Sequence, residues 1–170
     1  KNTHITTIYE YDWAPVKVRW VGLWDTVPAM GIPDNNINIG YQLGVPKGVS
    51  VSHAMALNVS SSNFILRRES GAHEAWFMGH HGEIGGSSGD SLLSDCTLAW
   101  MLNEAVACGV PVDPKCVSMP SLASLAAPRH RASRVRKRGR REVRIGDLVH
   151  ESVKQEAYPN VPWGKVTIVK

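Results

Sequence analysis

"EAWFMGHHGEIGG", residues 74–86, decides how this chain is read. An apolar run suited to a buried strand ends in two histidines, a glutamate and two glycines, so titratable groups are delivered at the strand's carboxyl end. The matching stretch lies upstream in "VRWVGLWDTVPAMG", residues 18–31, where Val and Trp lead into Asp25. Residues 16–24, "VKVRWVGLW", alternate around Lys17 and Arg19 before becoming wholly apolar, the pattern of a strand entering a buried sheet. In open α/β sheets the working groups gather outside the carboxyl ends of the strands, so Asp25 and His81 are expected on one edge.

The rest of the chain fits around these two strands. Residues 28–48 are dense in Pro, Gly and Asn without a helical period, which predicts a long surface excursion. "SVSHAMALN", residues 50–58, is expected to form a short helix. The firmest helix is predicted within residues 89–113: Leu92, Cys96, Ala99, Trp100 and Ala107 share one side, Asp90 or Ser91 can cap the start, and Gly109 with Pro111 stops it. Pro111, Pro114, Pro120 and Pro128 then break any regular element. "IGDLVHESVKQEAY", residues 145–158, is expected as a short amphipathic C-terminal helix before a tail. No internal repeat is present. Strand, acidic loop, excursion, strand, histidine loop and long helix make an α/β fold, a partial sheet flanked by helices.

At 170 residues with 43% hydrophobic content, one domain with a sizeable core is expected. No run reaches the roughly 18–20 apolar residues of a membrane helix, and the first residues lack a charged-then-apolar leader, so a soluble, cytoplasmic location is the default expectation. The chain does not begin with Met, as a fragment would not. Cys96, Cys108 and Cys116 are odd in number with no CxxC spacing, which favours reduced core thiols over disulfides or a zinc site. Residues 129–144 hold nine of the nineteen Lys and Arg and one of the fifteen acids. The net +4 is therefore local, since the remainder carries 10 minus 14, or −4.

A carboxylate after one strand and an imidazole after another can be the later members of a nucleophile, acid, histidine triad, the acid holding the ring in one tautomer. Spacing alone favours the simpler reading, in which Asp25 caps the turn "DTVP" and His81 is a polar loop residue. The segments themselves say more. "VGLWDTVPAMGIP", "SHAMALN", "EAWFMGHHGEIGG", "LSDCTLAWMLNEAVACGV" and "VHESV" resemble, in order, the catalytic domain of the type VI secretion lipase effectors, a family with bacterial and fungal members. Its usual pattern is similar to "GVWDTV", "HALALDER", "WFPGVHSDVGGG" and "LxWM", and the resemblance spans roughly residues 16–158.

The resemblance implies an α/β-hydrolase acting on phospholipid or other ester bonds, without a cofactor. It puts the catalytic aspartate on Asp25 and the catalytic histidine on His81, with Glu83, Gly85 and Gly86 shaping the supporting loop. His80 is then a neighbour and His53 a positioning or packing residue. It divides the chain into residues 1–128, the C-terminal portion of a catalytic domain; 129–144, a basic loop; and 145–170, the end of the same domain. The chain departs from the pattern where "HALALDER" becomes "HAMALNVS" and "HSD" becomes "HGE". The serine expected in a GxSxG elbow upstream of the aspartate is not within residues 1–170. Gly85 to Gly89 satisfy GxSxG formally, but Ser87 trails the predicted strand and follows the histidine, whereas an elbow runs directly from strand to helix.

Two readings follow. In the first, the chain is the Asp- and His-bearing portion of a serine lipase or esterase whose serine lies outside it. In the second, it is an inactive, hydrolase-derived interaction module within a larger assembly. In both, another protein segment or subunit is expected to complete the sheet, because unpaired edges template association. Arg134, Arg136, Lys137, Arg138, Arg140 and Arg141 are candidate anion-binding residues, for anionic lipid before nucleic acid, because no aromatic residue between 129 and 144 offers a stacking platform. A solvated basic loop is the simpler alternative. A metal site on His80, His81 and Glu83 is disfavoured, since adjacent histidines diverge and no further ligand is spaced for it.

Overall fold

The computed structural model describes residues 17–27, 45, 47–58, 66–87, 92–113, 115 and 141–170. Five strands, β1 (Trp20–Trp24), β2 (Ser50–Asn58), β3 (His73–His80), β4 (Leu148–His150) and β5 (Thr167–Val169), form one sheet in the order β1-β2-β3-β4-β5. Every pairing is parallel. Each connection must therefore return to the same end of the sheet, and all five carboxyl ends share one edge. The partial α/β fold is as the sequence implies, with α1 (His81–Ile84) and α2 (Leu92–Ala107) flanking the sheet.

"SVSHAMALN" is not a helix but β2. Val51 to Ala56 are all buried, and Ala54, Met55 and Ala56 are sealed completely. A parallel strand with neighbours on both sides is covered on both faces and reads as a continuous apolar run, so the helix-favouring Ala, Met and Leu yield to pairing with β1 and β3. The period of two then divides the core. Met55, Trp76, Met78 and Val149 pack with Cys96, Val153 and Val161, while Ala54, Ala56, Ala75 and Phe77 pack with Ile84, Trp100 and Met101. Each sealed Met or Phe contributes about 1.5–3 kcal/mol of transfer free energy.

The alanines on the second face let α2 lie close, and Trp100 meets the edge of Phe77 at 5.5 Å and 66°. β1 runs close to the same helix: a Cβ at Gly22 would stand 2.9 Å from Met101 Sδ and 2.6 Å from the Trp20 ring. Thr97 Oγ1 donates to the Ile84 carbonyl at 2.7 Å, fastening α2 to α1. At its far end α2 stops as expected. Gly109 takes φ 79°, its N–H donates to Val106 O, and Val110 N–H reaches back to Ala105 O, the paired bonds of a Schellman stop. Ala107, expected on the buried side, is exposed, because it lies about 200° round the helix from buried Ala105. Asp90 and Ser91 lie outside the described residues.

Residues 145–170 contain no α-helix, against expectation; they form β4, a 3₁₀ turn over Gln155–Ala157, and β5. Val149 belongs to the first cluster while Leu148 packs on the second, an alternation only a strand provides. The His150 ring then ends β4, its Nδ1 accepting from Ser152 N–H at 3.2 Å and taking the Ser152 hydroxyl at 2.8 Å. Cys96 and Cys108 are free thiols, and burial, aided by Asp95 and Glu151, pushes Cys96 up to about 11. Among the described residues no helix is long and apolar enough to cross a membrane.

His150 is fully buried and stacked on Phe77 at 4.5 Å, and burial drives its pKa from 6.5 down to about 4. The unfolded chain thus takes a proton that the folded ring refuses. Stability is fully present above about pH 6.5 and is lost as the pH falls toward 4, by about 3 kcal/mol in all. Urea unfolding at a series of pH values is expected to show this loss in the native sequence; in His150→Gln the difference between pH 7 and pH 4 should shrink by that amount.

Candidate active site

Asp25 sits where β1 stops. Its φ of 44° is the only positive value of a non-glycine among the described residues, a conformation that Asp tolerates better than most side chains. The Asp25 N–H still donates to Ala54 O at 2.7 Å, continuing the β1–β2 ladder, while the turn brings the carboxylate over β2, where Oδ1 accepts the Ala56 N–H at 2.9 Å. Asp25 is completely buried.

His81 comes from the end of β3. His80 is the N-cap of α1: its Nδ1 accepts the Gly82 and Glu83 amides at 3.1 and 3.3 Å, and its own N–H donates to Glu83 Oε2 at 2.9 Å. This reciprocal capping box fixes His81 as the first helical residue. Gly85 closes the turn with its N–H on His81 O at 2.9 Å, and Gly86 leaves it at φ 81°. Glu83 is buried and braces the loop through the cap. His81 Nδ1 lies 3.0 Å from Asp25 Oδ2. A carboxylate only accepts, so Nδ1 carries the donated hydrogen and Nε2 carries the lone pair in the neutral ring. The His81 side chain is 43% exposed beside an acid that is wholly enclosed.

Arg141, from the end of the basic run, has a side chain only 4% exposed and grips the same carboxylate, one terminal nitrogen on Oδ1 and the other on Oδ2 at 2.9 Å. Arg134, Arg136, Lys137, Arg138 and Arg140 lie outside the described residues. No local signal in the sequence separates Arg141 from its neighbours. A cleft of about 260 Å³ opens beside it, between residues 141–143 and 157–161, with Leu57 and Tyr158 in its wall. The Tyr158 hydroxyl donates to Asn58 Oδ1 at 2.7 Å and accepts Gly79 N–H at 3.3 Å, joining the ends of β2 and β3; burial pushes its pKa up to about 12.

Behind the dyad runs a second polar network. His53 Nε2 accepts the Thr26 N–H at 3.1 Å, so its Nδ1 donates to Glu74 Oε1 at 3.1 Å. Burial alone would raise the Glu74 carboxyl, yet His53, Arg68 and the Glu69 amide together hold it below its ordinary value. Asp147 likewise overcomes burial through two bonds from Arg68, the Arg144 amide and the Trp76 indole. His53 thus positions the residue after Asp25.

Ser87 follows α1 rather than a strand, and its N–H and hydroxyl both turn back to the Gly82 carbonyl. Among the described residues no group of three or more His, Cys, Asp or Glu is placed to hold a metal ion. His80, one of the residues weighed for that role, instead spends its Nδ1 on the cap.

Gly79, two residues before His81, has φ 113°, and a Cβ there would stand 3.0 Å from both Glu83 Oε2 and Leu93 Cδ1. Gly79→Ala is expected to lower stability by more than about 1 kcal/mol in urea unfolding, through the strained backbone and the crowded cap.

A family model described as the type VI secretion system, phospholipase effector Tle1-like, catalytic domain matches residues 7–104. No curated protein and no solved structure matches the chain. The matched segment is more than half of the 170 residues and includes Asp25, His53, Glu74, His81 and Glu83. With the parallel sheet that carries them, this establishes that the chain belongs to the Tle1-like phospholipase effector catalytic domain family.

Proposed function

We propose that this chain supplies the acid and the base of a serine phospholipase, with Asp25 orienting His81 and the nucleophilic serine contributed from outside residues 1–170. The observation that carries this reading is the 3.0 Å contact between a fully buried carboxylate and a half-exposed imidazole at the carboxyl edge of a parallel sheet. Family membership supports a lipase-like reaction.

The chemistry follows from the tautomer. With Nδ1–H held by Asp25, His81 Nε2 takes the proton of the serine hydroxyl as its oxygen attacks the acyl carbon. The tetrahedral adduct collapses, the C–O bond to the lipid alcohol breaks, and His81 returns the proton to that alcohol. Water, activated by the same nitrogen, then cleaves the acyl-enzyme and releases fatty acid. Asp25 remains ionised throughout and stabilises the imidazolium. The cleft beside Arg141, walled by Leu57 and Val161 on one hand and Tyr158 on the other, is suited to an ester with both apolar and polar parts.

A second reading, an inactive interaction module, draws on Arg141: its two-point pair with Asp25 would serve equally as a purely structural lock. Hydrolysis separates the two. The product of the complete coding sequence is expected to release fatty acid from phospholipid micelles, with Asp25→Asn and His81→Ala each lowering kcat by on the order of 10⁴-fold and changing KM little. Hydrolysis at the native rate in either variant would sink the dyad, and absence of hydrolysis in the native protein would favour the module.

A further inference from the structure

The hydrogen bonds around Asp25 close on themselves. From its backbone, the adjoining Thr26 amide donates to His53, which donates to Glu74; Arg68 bridges Glu74 at 2.6 Å and Asp147 at 2.9 and 3.1 Å. Asp147 accepts the Arg144 amide at 2.8 Å, and three residues earlier Arg141 returns to the Asp25 carboxylate. The loop runs from the turn after β1 through β2 and β3 to the segment before β4, and begins and ends on one residue.

We propose that Arg141 is a positioning residue for the Asp25–His81 dyad, and that the closed ring behind it is what holds its guanidinium in place. The proposal rests on the reading of that dyad as the acid and base. A carboxylate fixed only by the Ala56 amide on Oδ1 can still turn about its terminal torsion, which is broad in aspartate. A planar guanidinium bonding both oxygens removes that freedom, because fork and carboxylate must lie nearly coplanar. Oδ2 is then aimed at His81 Nδ1, and the ring is kept in the tautomer that presents its lone pair on Nε2. Arg141 lies outside the family-matched residues 7–104, so this grip is supplied by the segment leading into β4. The function is geometric: a lysine retains the charge but binds as a point and has no fork.

Arg141→Lys and Arg141→Gln in the full-length protein test this, each checked for native near-UV circular dichroism; two variants are used so that one folded variant suffices. Imidazole ¹⁵N spectra, with the His81 signals assigned through His81→Ala, are expected to show a single Nδ1–H tautomer in the native sequence and a mixture of both tautomers in the variants. Phospholipid hydrolysis should fall at least tenfold in kcat with KM unchanged. A folded Arg141→Lys that keeps one tautomer and the native kcat overturns the proposal. If Asp25→Asn and His81→Ala leave hydrolysis intact while the Arg141 variants still mix the tautomers, the positioning stands and the catalytic reading of the dyad fails. If the dyad variants abolish hydrolysis and the Arg141 variants change neither tautomer nor kcat, the reverse holds.

Discussion

Keeping one charge out of water organises this molecule. Asp25 has no exposed surface, and an ionised carboxylate so placed is several kcal/mol less favourable than in solvent unless donors surround it. The chain brings four donors from three places: the Ala56 amide in β2, the His81 ring at the start of α1, and two guanidinium nitrogens of Arg141. Each donor constrains the element it comes from. The β1–β2 register must put Ala56 beneath the turn, the short helix must begin at His81, and the segment before β4 must return to the sheet's carboxyl edge.

The inner network solves the same problem on a larger scale. Glu74 and Asp147, two acids with little exposure, share Arg68, and what remains of their acceptor capacity is met by His53, the Trp76 indole and backbone amides. Removing one member leaves a buried charge behind, which is far more damaging than never having had the pair. His53, Glu74 and Asp147 stand two residues before Met55, Trp76 and Val149 respectively, so this network shares the face of the first apolar cluster, and polar fixation and hydrophobic packing depend on the same strands.

The parts that could be read from the sequence are those where the local pattern and tertiary demand agree. β1 announces itself by a Val- and Trp-rich run and β3 by an Ala-Trp-Phe-Met run, each leading into a titratable residue, and α2 by its spacing and its Gly109 stop. Because both strand ends are marked, the Asp25–His81 contact is anticipated by the family resemblance. β2 hides because Ala, Met and Leu favour helices and only neighbours on both sides make them a strand. β4 and β5 are three residues each, too short for a period to register. His80 to Glu83 does spell a capping box, with a histidine where serine or threonine is usual. Arg141 is invisible for another reason: in a run of like charges nothing local tells the buried arginine from solvated ones, and its partner is 116 residues away.

That separation also bears on how the molecule comes into being. Closing a loop of this length is entropically expensive before any contact rewards it, whereas the β2–β3 pairing links residues only about twenty apart. The central strands can therefore associate early, while the carboxylate at the end of β1 waits in contact with water until the C-terminal segment arrives. Desolvation of the acid then waits on the C-terminal segment, and a polypeptide still emerging from the ribosome carries Asp25 without the surroundings that give its carboxylate a fixed direction.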